Sequence, residues 1–210
     1  MKPSEIFDDV RERIVDAGGN GDDPRISDTY LLRVYNRGRR DWARRTNALQ
    51  KTATLTVLAN TGEIAVPADF YSPASTYLDG RLLEPRSRER IIWGRSATSG
   101  VTTGTPTVMC IWARAVQVAP IPTVNTALTL DYYASASMVV DLAVESGDPK
   151  DMEDAVTEFV TAKAWQALEN PSAAGDAMAA YEKMVEDAET NFDGPEEIRD
   201  VYDDVNHGWR

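Results

Sequence analysis

Residues 28–71 read DTYLLRVYNRGRRDWARRTNALQKTATLTVLANTGEIAVPADFY, and the period of their apolar positions changes once along the way. In the first half, Leu31, Val34, Tyr35, Gly38 and Trp42 fall in one stripe at 100° per residue, the buried face of a helix. Ser27 or Asp28 can accept a hydrogen bond from an early free N–H, so the helix starts there. From Lys51 the alternation is twofold, with Thr52, Thr54 and Thr56 against Ala53, Leu55 and Val57. That is a half-buried strand.

The same helix carries Arg33, Arg37, Arg40 and Arg44 opposite the apolar stripe, at spacings of four, three and four. Four guanidiniums in a row repel one another unless they are solvated or meet carboxylates or phosphates. Surface helices usually mix both signs, so the stripe predicts an acidic partner surface, with a solvated basic face as the plain alternative. Gly38, inside the apolar stripe, weakens an isolated helix by about 1 kcal/mol. A close helix–helix crossing is the expected reason for it.

Upstream, Ser4 is a candidate cap for a first helix over 4–17, with Ile6, Val10 and Ile14 one turn apart and Phe7 beside them. AGGNGDDP ends that helix, and the arginine helix packs back on it. Downstream of the strand, ANTGE is a turn, and IAVP is expected as a short partner strand closed by Pro67. Asp79-Gly80 between extended runs predicts a hairpin, and Ser87 starts one or two helical turns in SRERIIWG. Residues 95–106, RSATSGVTTGTP, have no period and read as a loop of a length that is either functional or disordered. TVMCIWARAVQVAPIP gives two strands around a turn near Arg114, and ALTLDYYASAS gives another with Leu128, Leu130 and Tyr132 on one face. Residues 51–138 therefore predict a small antiparallel sheet or barrel of about six strands.

Two helices follow. The first, over 150–168, aligns Met152, Val156, Phe159, Val160 and Ala167; the second runs from Asn170-Pro171 to Phe192 with Ala174, Ala177, Tyr181, Met184 and Ala188 on one face. The end of the chain, FDGPEEIRDVYDDVNHGWR, brings Ile198, Val201, Tyr202 and Val205 to one helical face. A helix of about ten residues is marginal alone in water, so this one needs a surface to fold on. Folding back on its own domain and docking into a neighbour or partner, with Trp209 as a further anchor, are both open.

The net charge of −12 is placed unevenly. Residues 1–140 carry 17 basic and 15 acidic side chains, whereas 141–210 carry 5 basic and 19 acidic. That asymmetry invites self-association or docking on a basic partner, and argues against general nucleic-acid binding. No apolar run approaches the roughly 20 residues that span a bilayer. MKPSEIFDDVRERI is charged where a signal peptide needs an apolar core, so the chain is expected to be made and folded in a cytoplasm.

Chemistry is sparse. One cysteine excludes an intrachain disulfide, and one histidine excludes a site needing two imidazoles. There is no phosphate-binding glycine loop and no zinc-ligand spacing, so no cofactor or metal is expected. A nucleophile paired with a base would have to use His207 near the chain's end. Cys110, between Met109 and Ile111 in a strand, reads as a buried inert thiol. Asp151, Glu153, Asp154 and Glu158 read as a solvated helix face rather than a glycosidase pair. The chain is read as no enzyme. A DNA-binding accessory protein using the Arg-rich helix 28–46 is the competing class. A groove-reading helix usually belongs to a compact three-helix unit, however, and this one feeds straight into a sheet.

The phrases ARRTNALQKTATLTV, VPADF, DGRLLEP, GTP and LDYYAS, in that order, resemble the head-to-tail adaptor (gateway) proteins of tailed bacteriophages over residues 4–190. The resemblance implies an α+β fold. A helical bundle from residues 1–50 and 139–191 would carry an inserted antiparallel β-domain over 51–138; residues 192–210, beyond the resemblance, are read from their own pattern as an extended C-terminal docking tail. It implies a structural virion protein, assembled in the host cytoplasm, that forms a ring of twelve subunits. The ring docks on the portal protein, extends a channel through which double-stranded DNA passes without specific binding, and receives a tail or nozzle protein. No membrane is involved. On this reading Arg33, Arg37, Arg40 and Arg44 are the subunit or partner interface, and Ile198, Val201, Tyr202 and Trp209 are the portal-docking anchors.

Overall fold

The computed structural model, which describes residues 1–15, 26–97 and 100–191, folds the helical periods into α1 (Pro3–Val15), α2 (Asp28–Thr46), α3 (Arg88–Arg95), α4 (Lys150–Ala167) and α5 (Pro171–Asn191). The fold class is α+β, in two compact units. One holds Met1–Leu49 and the chain from Ser135 through α5; the other is Gln50–Ala134.

In the helical unit, the Ser27 hydroxyl caps α2 by accepting from the Tyr30 N–H at 3.3 Å. Leu31, Val34, Tyr35, Gly38 and Trp42 are all buried, as their period predicts. A Cβ on Gly38 would lie 2.8 Å from Phe159 Cδ1, so the glycine serves a close crossing with α4. Phe7 of α1 meets Tyr35 edge-on at 6.0 Å, and Phe159 of α4 meets Tyr181 of α5 at 5.1 Å. Ser4 is not a cap. Pro3 occupies the first turn, where a missing N–H costs nothing, and Glu5 reaches back to accept from the Lys2 N–H at 2.9 Å. Asn170 does cap α5, accepting from the Ala173 N–H at 3.3 Å. Two expected core positions, Ala167 and Met184, are exposed. Ala164 and Val185 are buried in their place, because Ala167 falls at the end of α4 and the buried ladder on α5 is Ala177, Tyr181, Val185 and Ala188.

The other unit has ten strands among the described residues: β1 (Gln50–Val57), β2 (Glu63–Ala65), β3 (Phe70–Leu78), β4 (Arg81–Leu82), β5 (Glu84–Pro85), β6 (Ser96–Ala97), β7 (Gly100–Val101), β8 (Val108–Trp112), β9 (Ala115–Ala119) and β10 (Thr126–Ala134). They form two four-stranded sheets, ordered β1-β10-β3-β4 and β2-β9-β8-β5, and a small β6-β7 pair. This corrects four expectations. The strands outnumber six, because several are only two residues long. IAVP pairs with β9 in the second sheet rather than with TATLTVL, whose neighbour is β10. Part of 95–106 is strand, and β5 runs parallel to β8. The Asp79-Gly80 hairpin is present, with φ of 48° and 76°, the left-handed pair that a two-residue turn between twisted strands requires. Ala113-Arg114 makes the same turn without glycine, with φ of 49° and 61°. Leu128, Leu130 and Tyr132 are buried together on β10, and the Ser87 hydroxyl caps α3.

Candidate functional site

The outer face of α2 presents Arg33, Arg37, Arg40 and Arg44 to solvent. At 1.5 Å per residue they form a basic ridge about 16 Å long. The Arg33 guanidinium lies over the Tyr30 ring at 5.4 Å, and Arg40 Nε donates to the Asn36 carbonyl at 3.2 Å. Both contacts orient a charge without neutralising it.

The other two arginines of this run behave differently, although nothing in residue type separates them. Arg39 is buried. Its Nε and Nη2 donate to the two Asp148 carboxylate oxygens at 2.5 and 2.6 Å, and Nη1 donates to the Ser137 carbonyl at 2.5 Å. Beside it, Asn36 Nδ2 donates to the Val139 carbonyl and Asn36 Oδ1 accepts from the Val139 N–H, both at 2.8 Å. These two α2 side chains clamp the segment between β10 and α4 as a strap along the helix. On either side of Val139, Met138 and Val140 are 73% and 80% exposed. On the opposite flank of α2, Arg45 reaches Glu182 at 2.8 Å and Glu189 at 3.6 Å on α5, and the Glu182 hydrogen bond raises its pKa. The signal for Arg39 was positional: it sits four residues after Tyr35 and three before Trp42, inside the buried stripe.

Ile198, Val201, Tyr202 and Trp209, with His207, lie outside the described residues. Cys110 is buried as expected, and burial pushes its thiol pKa up, away from reactivity. Glu153 corrects the reading of a solvated acidic face, since it is buried and accepts from the Met1 amino group and, at 3.3 Å, from the Ser146 hydroxyl. Glu158 likewise pairs with Arg13 of α1 at 2.6 Å. Among the described residues no group of three or more His, Cys, Asp or Glu could hold a metal ion, and no helix is long and apolar enough to cross a membrane.

The chain thus combines a helical unit, an inserted β-unit and an exposed basic ridge on its second helix. No curated protein matches the chain. The model of the SU10 adaptor protein family matches residues 1–199, and the chain belongs to that family of structural phage head-to-tail adaptors, which are components of the virion that associate with portal and tail proteins.

Proposed function

We propose that this chain forms a closed ring of twelve copies directly beneath the portal, where it extends the DNA channel and receives the tail or nozzle protein. The observation that carries the reading is the exposed basic ridge on the outer face of α2, with Arg33, Arg37 and Arg40 on it, in a chain whose last 70 residues hold 19 acidic and 5 basic side chains. Opposite charges on different surfaces of one subunit suit a head-to-tail contact, and such contacts close into rings when the rotation allows. An excess of carboxylates around a channel repels phosphates, so DNA passes without being held. The role is structural and needs no catalysis or cofactor.

The test is assembly of phage particles from a genome lacking this chain. The expected product is DNA-filled heads without tails, rescued by the wild-type chain supplied in trans. Tailed, infectious particles made in its absence would contradict the proposal.

A further inference from the structure

α3 lies on the second sheet, with Ile91 buried against Cys110 of β8 and Ala119 of β9. At 100° per residue, Glu89 and Trp93 stand on the opposite crest of the helix, with Ile92 beside them. Trp93 is 76% exposed, and Ile92 is exposed too. Trp112 follows Cys110 by two residues on β8, so it lies on the same side of the sheet as α3. The Arg88 guanidinium covers its exposed ring at 4.5 Å. Residues 81–95 hold five basic and two acidic side chains, and Arg88 and Arg90 are both exposed. The face is aromatic and basic, the composition that supplies most anchors of protein interfaces.

The strap of the helical unit is its complement. Its course is fixed from beneath, since Arg39 holds Ser137, Asn36 holds Val139, and the Ser4 N–H of α1 donates to the Leu142 carbonyl at 3.2 Å. Met138, Val140 and Val144 are left exposed, with Asp141 and Glu145 exposed among them. From Met138 to Pro149 there is no basic side chain. An apolar face already held in one course loses little freedom when it is covered. We infer that the α3 face, with Trp93 as its anchor, docks on the strap of a second copy of this chain.

Charge selects the second copy. One chain carries both faces, aromatic-basic and aliphatic-acidic, so each copy can give one and receive one. Such a contact is heterologous and repeats until it closes. A nucleic acid is the poorer occupant, because Glu89 stands on the crest beside Trp93 and would meet phosphate. The inference rests on the ring reading and names the surfaces by which neighbours meet.

Two full-length variants test it, Glu89→Cys and Ala143→Cys, both at exposed positions on the two faces. Each chain then carries one introduced thiol and cannot crosslink to itself, and Cys110 is buried. The variants are mixed, assembled on the portal of the same phage and treated with a short bis-maleimide. The expected result is covalent dimer from the mixture and not from either variant alone. A ring-sized complex without mixed dimer overturns the inference and leaves the ring reading intact; no ring-sized complex at all overturns both. Dimer formed as readily by one variant alone means that like faces meet, and overturns it too. Independently, Trp93→Ala on the Glu89→Cys chain lowers the yield of mixed dimer without moving the melting temperature, because its side chain lies outside the core. Arg88→Glu with Arg90→Glu on that chain weakens the contact by about tenfold or more. Asp141→Lys with Glu145→Lys on the Ala143→Cys chain restores it. An undiminished yield, or a loss that the second pair leaves unrestored, contradicts the assignment.

Discussion

Arg39 and Asp148 meet through two parallel N–H···O bonds of 2.5 and 2.6 Å, with only 2% and 6% of their side chains exposed. The pair joins the middle of α2 to the residues just ahead of α4, and so fixes the course of the strap that flanks the basic ridge. The gain from forming such a pair is offset by desolvation, but removing one partner strands the other charge in the interior.

Arg39→Ala is therefore expected to destabilise the helical unit by about 3–5 kcal/mol. Arg39→Lys keeps the charge but loses the fork, and should fall between the two. Urea unfolding followed by helical circular dichroism measures both. A loss within about 0.5 kcal/mol, typical of a surface substitution, would show that the strap is held by other contacts.

Gly38→Ala sets two effects against each other. Alanine favours an isolated helix by about 1 kcal/mol, but here its Cβ would sit 2.8 Å from Phe159 Cδ1 and 3.4 Å from Val156 Cγ1. Overpacking of this kind costs about 1–3 kcal/mol. A lower melting temperature is expected, partly recovered when Phe159→Leu relieves the crossing; a rise on Gly38→Ala alone would contradict the packing account.

How far all this was legible depends on what a periodic pattern can carry. The five apolar positions of α2 and the outward ridge follow from spacing alone, because a helix allows one relation between period and face; residue type narrowed the cap to Ser27 or Asp28, and Ser27 fills it. Strand order does not. TATLTVL and IAVP are neighbours in sequence but pair with β10 and β9, a choice made by contacts about 50–80 residues away that no local signal records. Arg39 was hidden for another reason. Its position placed it in the core, while its charge argued for solvent, and only Asp148, 109 residues on, resolves the conflict. Glu153 was misread in the same way, its partners being the Met1 amino group and Ser146. The ridge itself was legible; its buried counterweight was not.

Two buried phenols give the stability a pH dependence. Tyr132 donates to Asp69 at 2.9 Å and Tyr181 to Asp41 at 2.7 Å. Burial, and then the neighbouring carboxylate, raises both phenol pKa values, that of Tyr132 to about 12 from 10.0. A raised folded-state pKa means that the contribution is fully present below pH 10 and is lost as pH climbs from there through 12. Tyr132→Phe should cost about 1 kcal/mol at neutral pH and flatten the alkaline decline seen by denaturant melts. An unchanged alkaline limb would remove Tyr132 from it.

DNA binding by the ridge is the competing use of α2. With a net charge of −12, the chain should not retard duplex DNA at physiological salt. A retarded band that weakens steeply with added salt and disappears with Arg37→Glu and Arg40→Glu would promote that reading instead.

The central claim is assembly on a portal, and mass by light scattering tests it most directly, on the protein alone and then mixed with the portal of the same phage. The account predicts a small species alone and a ring-sized increment over the portal mass when the two are combined. A mixture whose scattering is the sum of two non-interacting components would contradict it.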